Sequence, residues 1–465
     1  MQRGWLLSLG VVFLCCRVAD APSSSGQTKK DPTSTDPDPG APPSSSDGAS
    51  VVLRGGWIVD PAAQTVEKHD LYICRGVVVG PEDGPKCAPK EIDVSGKFLI
   101  PGLSDMHMHA RGISLGDYTE HTMTVDAVAA TLRIAGVTSF LDSMNDEAKI
   151  FPIRDAQRSK GDFPGADIFA AGGALTPTGG HGTEYDLPKT SYRLVDTIAD
   201  AKTQVADIAT KNPDFVKIMY DHMADDGSTI ADGRTGVDGV AMKKEVMQAI
   251  VSECKARGLK TQVHATVWGD YRDAIAAGVT LVAHMGEAPI PDDIVQAAAQ
   301  SGVFWVPTLS LFHGFVDILA DQSLLDDPLL QKVASKDDID SYRPNRVYKD
   351  PETMQWFARH VNDNANIAKL RAAGVKLLAG SDTIEQGIFI GWSLHREMKL
   401  LVNAGLTPFE ALRAATTSAG EFLGKNFGIT PGAEGNVVVL EASPIDDIWN
   451  TTKIDLVIHH GVPIR

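Results

Sequence analysis

Six side chains in this sequence are of the types that hold and use metal ions: His107, His109, Lys217, His264, His284 and Asp382. The first two stand one residue apart in Phe98-Leu-Ile-Pro-Gly-Leu-Ser-Asp-Met-His107-Met-His109. On a strand, residues i and i+2 face the same way, so both imidazoles can reach one ion. Alone, the pair reads equally well as two polar residues at a strand end. The other four change that reading, because each closes or sits in a short apolar run: Phe215-Val-Lys217-Ile-Met219, Lys260-Thr-Gln-Val-His264, Val279-Thr-Leu-Val-Ala-His284 and Lys376-Leu-Leu-Ala-Gly-Ser-Asp382. An isolated histidine in such a place is usually a core residue. Four of them plus an acid, each at a strand end, are costly to bury without a metal. Lys217 is the odd member, since a metal cation would repel its ammonium. Carbamylation by CO2 would make it an anionic carboxylate able to bridge two ions. The alternative is a lysine paired with Asp221 or another strand-end carboxylate.

The elements that must position these groups alternate along the chain. Strands are expected at the run from Phe98, then at 137–142, 166–171, 215–219, 260–264, 279–284, 302–307 and 376–382. Helices are expected at about 124–135, 192–209, 243–256, 270–277 and 353–373, several ending at a glycine. This repetition fits a (β/α)8 TIM barrel better than an open doubly wound sheet, and in a barrel the strand ends converge on one mouth. No GxGxxG or GxxxxGK follows any strand. The polar loop Asp225–Gly233 lacks calcium-loop spacing. Residues 309–352, with Phe312, His313, Phe315, Leu319, Leu324 and Leu325, are an insertion that reads as a lid, an oligomer contact or a surface helical excursion. Helices follow at about 390–404 and 408–416. Short strand-like runs flank the barrel at 51–97 and again at 428–440 and 456–462. The expected α/β architecture is a barrel over 98–427 and a small discontinuous β-sandwich domain assembled from 51–97 and 428–465.

The chain has 465 residues, 43% hydrophobic and 22% charged, with a net charge of -17. That balance argues against nucleic acid or an anionic membrane as partner and leaves a small-molecule substrate. Residues 1–21 have the form of an export signal: Arg3, an apolar run from Trp5 to Cys16 too short to span a bilayer, and Ala19-Asp-Ala21 as a cleavage site. Periplasmic or extracellular export follows, with lipid anchoring through Cys15 or Cys16 as the alternative, and no stable membrane insertion. Residues 22–49 are rich in Ser, Pro, Thr, Asp and Gly and read as a disordered linker. Cys74 and Cys87 could form a local disulfide across Pro81-Glu-Asp-Gly84 or remain reduced; Cys254 belongs to an apolar helical stripe.

The motifs Pro101-Gly-Leu-Ser-Asp-Met-His-Met-His109, Phe215-Val-Lys-Ile-Met219, Val263-His264, Ala283-His284, Gly380-Ser-Asp382 and Gly428-Ile-Thr-Pro-Gly432 occur in one order. In these the chain, from about residue 51 to its end, resembles the amidohydrolase superfamily, close to imidazolonepropionase-like and prolidase-like proteins. The prolidase-like branch implies a binuclear centre, usually zinc. By that resemblance His107, His109 and Asp382 hold one ion and His264 and His284 the other. Carbamylated Lys217 and a hydroxide bridge them, and Asp382 is the general base. Histidine and carboxylate ligands suit zinc, and two ions can activate water while polarising a carbonyl. The reaction implied is cleavage of an amide bond in an N-acyl amino acid or dipeptide. A lactonase, an aryl- or phosphate-esterase on the same centre, or a non-catalytic zinc-binding protein are the alternatives. Ring deaminases usually work with one ion and lack the strand-four lysine.

Two further residues are expected at the substrate: His181, in Thr178-Gly-Gly-His-Gly182, near its carbonyl, and Tyr220, as a hydrogen-bond donor to an oxyanion or a carboxylate. The sequence departs from prolidase-like relatives at Met219-Tyr-Asp-His-Met-Ala-Asp-Asp226, bulky and acidic where they are small. It departs again at Gly435-Asn436, where they commonly have Ala-Asp. A homo-oligomer is expected from the resemblance alone.

Overall fold

The computed structural model describes residues 49–464 except 88, 118, 161–164, 186, 225–226, 344–359 and 384. The expected signal, 1–21, and nearly all of the expected linker, 22–49, lie outside the described residues, as does the start of the helix expected from 353. Eight parallel strands form the barrel: β1 Leu103–Met108, β2 Val137–Asp142, β3 Asp167–Ala170, β4 Val216–Met219, β5 Thr261–His264, β6 Leu281–Ala283, β7 Phe304–Val306 and β8 Lys376–Leu377. β1, β2 and β3 pair in order, as do β4 to β8. Between β3 and β4 the strand Ala174–Thr176 carries the pairing, with Leu175 opposite Ile218. The ring closes where Met106 N donates to Ala379 O at 2.9 Å and Asp382 N to His107 O at 2.7 Å. The expected (β/α)8 barrel is the observed fold.

Helices cover the outside, and their ends follow local chemistry. Val125–Ile134 starts where Thr124 Oγ1 accepts from Ala127 N, and Trp268–Ala277 ends at Gly278 with φ +90°. The helix expected from Tyr192 begins instead at Ile198. A capping box between Thr197 and Asp200 sets that start, and Tyr192–Leu194 is a strand paired with Ala174–Thr176. The insertion after β7 opens with the helix Leu309–Ala320, followed by short helices at Pro328–Val333 and Lys336–Ser341. Leu309, Phe312, Phe315, Ile318 and Leu325 are buried in the main core, so this part is no surface excursion. No helix among the described residues is long and apolar enough to cross a membrane.

Both chain ends build the expected sandwich. One sheet orders Val462–Ile464, Ile454–His459, Val437–Leu440, Phe98–Pro101, Trp57–Asp60 and Thr65–Lys68; the other orders Val77–Val79, Leu71–Cys74, Val51–Arg54 and Lys90–Asp93. Phe98–Pro101 thus belongs to the sandwich, and β1 begins only after Gly102. Strand structure in the tail begins at Val437, not Gly428. The six-stranded sheet is buried on both faces by simple alternation. Ile58, Leu99, Val437 and Val439 face the sandwich core; Val59, Ile100, Val438 and Leu440 face the barrel. Cys74 and Cys87 are joined in a disulfide with Cα atoms 5.8 Å apart, and Cys254 is free and buried.

The helix Trp392–Asn403 is tied to the barrel floor by His395, whose Nε2 bonds to Ala135 O and Nδ1 to Thr451 Oγ1, both at 2.9 Å. Burial holds this imidazole down to about 4, although the bond to Ala135 favours the charged form. The unfolded chain takes up this proton below about pH 6.5 and the folded chain does not until about pH 4. The contribution to stability is therefore complete above pH 6.5 and is lost as pH falls towards 4. About 2 kcal/mol of the stability lost between pH 7 and pH 5 should disappear in His395→Asn, read from denaturant midpoints at both pH values. Identical losses in the two proteins would refute this.

Candidate metal centre

The site begins with the contact between β1 and β8. Gly380 makes it possible, because a Cβ there would lie 2.7 Å from His107 N and 2.6 Å from Val306 Cγ2. Asp105 then locks the two strands. Its buried carboxylate accepts from Ser381 N at 3.0 Å, Ser381 Oγ at 2.5 Å and His107 N at 3.3 Å. Burial pushes this carboxyl up to about 7 against those bonds.

Above the lock the predicted ligands meet. His107 Nε2 lies 3.6 Å and His109 Nε2 3.3 Å from Asp382 Oδ1, and His284 Nδ1 lies 3.5 Å from Asp382 Oδ2. These separations are long for hydrogen bonds. They are close to the roughly 3.3 Å between two donors that share a tetrahedral ion at about 2.0–2.1 Å. His107, His284 and Asp382 are placed to hold one ion, with His109 beside them; Asp221, Asp238 and His264 form a second such group. His264 therefore turns its Nε2 to Asp221 Oδ2, 3.4 Å away, while its ring centroid is 4.6 Å from that of His284. That Nε2 is buried without a hydrogen-bond partner among the described residues, as an atom awaiting a ligand would be.

Lys217 Nζ is buried 3.3 Å from His107 Nε2 and forms no ion pair among the described residues. Burial brings its ammonium down to about 7. Asp221 is engaged elsewhere, by Thr266 Oγ1 at 2.6 Å and Met223 N at 3.0 Å besides His264, so the Lys217–Asp221 pairing is absent. Burial, then Lys217, holds His107 well below the usual imidazole range; burial, then His264, does the same for His284. Neutral imidazole is the form that binds a metal.

Neighbours orient the rings. His109 Nδ1 donates to Met144 O at 3.1 Å, which leaves the Nε2 lone pair facing Asp382. His107 Nδ1 stands 3.3 Å from the amide of Gln262, whose Oε1 is buried and unpaired among the described residues. Turning that amide over lets Oε1 accept from Nδ1–H and satisfies both groups. His284 Nδ1 lies 2.9 Å from Thr308 Oγ1. Three of the seven non-glycine residues with positive φ among the described residues are at this mouth: His284 (+70°), Thr308 (+50°) and Asp382 (+54°). Each costs roughly 1–3 kcal/mol and persists only where its surroundings fix it.

The mouth opens into a cavity of about 320 Å³ lined by all six predicted ligand residues and by Arg111, His181, Tyr185, Asp238 and Glu385. His181 lines the cavity, its ring centroid 4.5 Å from that of His264 and its Nδ1 2.8 Å from Glu184 Oε1. Burial opposes its charge, but the bond to Glu184 and the charges of Asp238 and Asp221 raise it to about 9. Tyr220 is set apart. It does not line the cavity, and its hydroxyl donates to Asp273 Oδ2 at 3.1 Å. His222, held by Asp270 and Asp232, packs its ring edge-on against that of Tyr220, 4.7 Å between centroids. Sequence reading missed Arg111, although it is the second residue after His109. Its guanidinium lies 5.6 Å from the Tyr185 ring, and its Nε is buried and unpaired among the described residues. Asp238 reaches the cavity from a loop, and nothing in its sequence context marks it.

A barrel with histidines and an aspartate gathered at its mouth defines a metal-dependent hydrolase. The model of the Amidohydrolase family matches residues 98–464, and the chain belongs to that family of enzymes acting on carbon–nitrogen bonds. It is 24% identical over 447 residues to the ochratoxinase of Aspergillus niger, covering 87% of this chain and 84% of that protein. A Xaa-Pro dipeptidase crystallised with methionine in its active site is 21% identical, with a TM-score of 0.69 over 90% of this chain and 100% of its own. A prolidase complexed with N-methylphosphonate-L-proline is 23% identical, with a TM-score of 0.67 over the same shares. At these identities the superpositions speak for the fold.

Gln262 carries a prediction. Partners that orient a ligand histidine typically contribute 10–100-fold in metal affinity. Gln262→Met should weaken binding at the mouth by about that factor, measured by competition with a chelator. An unchanged affinity would show that Gln262 does not position His107.

Proposed function

We propose that this enzyme hydrolyses the amide bond of an N-acyl amino acid or dipeptide with two zinc ions held at the barrel mouth. The observation that carries the reading is the set of donor atoms on His107, His109 and Asp382 at ion-sharing separations, with His284 and His264 alongside and a buried Lys217 that has no carboxylate partner among the described residues. His107, His109 and Asp382 would hold one ion and His264 and His284 the other, with Lys217, carbamylated, as the shared anionic ligand. Asp221 and Asp238 flank His264 on its far side. When bound, the ions supply an acidified water and polarise the scissile carbonyl. Asp382 accepts a proton from the water at its carboxylate and passes it to the leaving amine nitrogen. His181, at the cavity wall, is placed to donate to the substrate carbonyl oxygen. Arg111 supports a substrate with a free carboxylate, since a buried guanidinium with an unpaired Nε is an anion-binding group.

A panel of N-acyl amino acids, dipeptides, their methyl esters, lactones and aryl esters tests the substrate class. Free-carboxylate amides should be turned over best, and preference for the esters or lactones would overturn the assignment. Lys217→Ala should lose at least about 100-fold in activity together with metal from the mouth. A short carboxylic acid added to that variant should restore part of it. Full activity in Lys217→Ala would end the binuclear reading.

Export is part of the proposal, supported by the Cys74–Cys87 disulfide, which suits an oxidising compartment. The secreted protein should begin at Pro22, read from its intact mass. A cytosolic product retaining Met1 would refute it.

A further inference from the structure

A third group of potential metal-ligating side chains lies at the other end of the barrel. Asp167 opens β3, at the end opposite the mouth, and His459 and His460 close the strand Ile454–His459 of the sandwich. His460 Nε2 lies 3.0 Å from Asp167 Oδ1 and His459 Nε2 3.5 Å from Asp167 Oδ2; the two rings are 4.2 Å apart between centroids. All three donor atoms fall within reach of one ion. His459 is 4% exposed, and its Nε2 is buried and without a hydrogen-bond partner among the described residues, although it points at the carboxylate. A histidine kept only to pair with Asp167 would close that gap to an ordinary bond. The 3.0 Å contact of His460 is an ordinary hydrogen-bond length, whereas the 3.5 Å of His459 is long for one and close to the roughly 3.3 Å edge of a tetrahedral site with ligands at about 2.0–2.1 Å.

The surroundings hold the turn that presents these rings. Asn436 Oδ1 accepts from His460 N at 2.7 Å, and Asn436 Nδ2 donates to Glu434 Oε2 at 3.3 Å. The Gly435-Asn436 departure in the tail thus has a structural use: its amide fixes the His459–His460 turn over Asp167. Glu434 and Lys425 act electrostatically on His460, and Arg133 acts on His459.

We propose that Asp167, His459 and His460 form a separate mononuclear site for a divalent transition-metal ion of the zinc type. The ion pins the C-terminal hairpin of the sandwich to the floor of the barrel. Two imidazoles and one carboxylate are a usual set for such an ion, with water as the fourth ligand. Its role is structural, because the mouth lies at the opposite end of β3. An ion bound only in the folded state stabilises it by mass action.

The test compares metal content of the full-length protein, loaded with zinc and then freed of loose ions. Wild type should hold one equivalent more per chain than His460→Gln, whose side chain is 41% exposed and tolerates change, and one more than Asp167→Asn. Lys217→Ala should keep that equivalent. Wild type should also melt higher than His460→Gln in zinc, and the gap should narrow once a chelator has removed the metal. Equal metal content in wild type and both variants overturns the proposal and leaves an ordinary Asp–His ion pair. Occupancy of the mouth is common to wild type, His460→Gln and Asp167→Asn, so the difference stands or falls independently of the binuclear reading.

Discussion

Asp105 and Ser381 hold the barrel shut between its first and last strands, and every group at the mouth depends on that closure. β1 brings His107 and His109; the segment after β8 brings Asp382. Without the Gly380 approach and the Asp105 bonds, the two halves of the first ligand set would sit on separate strands with no fixed spacing. A buried carboxylate is expensive in itself. Here it accepts three hydrogen bonds, and those bonds set the register at which Asp382 N meets His107 O. The strained φ of Asp382 follows from the same register, since the chain must turn sharply to aim its carboxylate back across β1.

The sandwich adds a second constraint on β1. Phe98–Pro101 pairs with Val437–Leu440, and after Gly102 the chain runs directly into β1. Leu99 and Ile100 face opposite cores, so a slip of one residue would expose both sheets' apolar faces to the wrong neighbour. The position of His107 along the barrel axis is thereby tied to the tail of the chain. The Asp167–His459–His460 cluster lies on this same connection, at the floor, where the C-terminal hairpin meets β3.

Much of this was legible in the sequence because the barrel strands are short, apolar and fully buried, and the ligand residues interrupt them at their ends. Periodicity and turn residues suffice for such elements. The same signals misplaced Phe98–Pro101, because an apolar run cannot say which sheet it joins. They also extended the third helix back to Tyr192, where pairing with Ala174–Thr176 overrides helical preference. The metal positions could be read from residue type at strand ends. Arg111, Asp238 and Glu385 could not, since a loop residue enters a cavity only through the path of the loop. Tyr220 shows the converse: its place just after β4 suggested the cavity, but it stands three residues from Lys217, and an odd separation on a strand points to the opposite side.

The charge balance at the mouth sets Lys217 apart from the histidines. Around Asp382 the barrel gathers His107, His109, His284 and Lys217, with His264 alongside, so one carboxylate faces five basic groups. Burial answers this by keeping His107 and His284 neutral and by weakening the ammonium of Lys217. Two divalent ions would add four positive charges to a site where Asp382 is the carboxylate in contact with these groups. At an effective dielectric of about 20, unit charges about 4 Å apart interact by about 4 kcal/mol, so the deficit is large on the scale of folding stability. Asp221 and Asp238 can offset part of it, but they stand beyond His264 and serve that side only. Carbamylation would move Lys217 from a charge of +1 to -1, a change of two units at the centre of the cluster. No histidine in the site can make a change of that size, and a lysine is the one residue type there whose free amine can accept CO2.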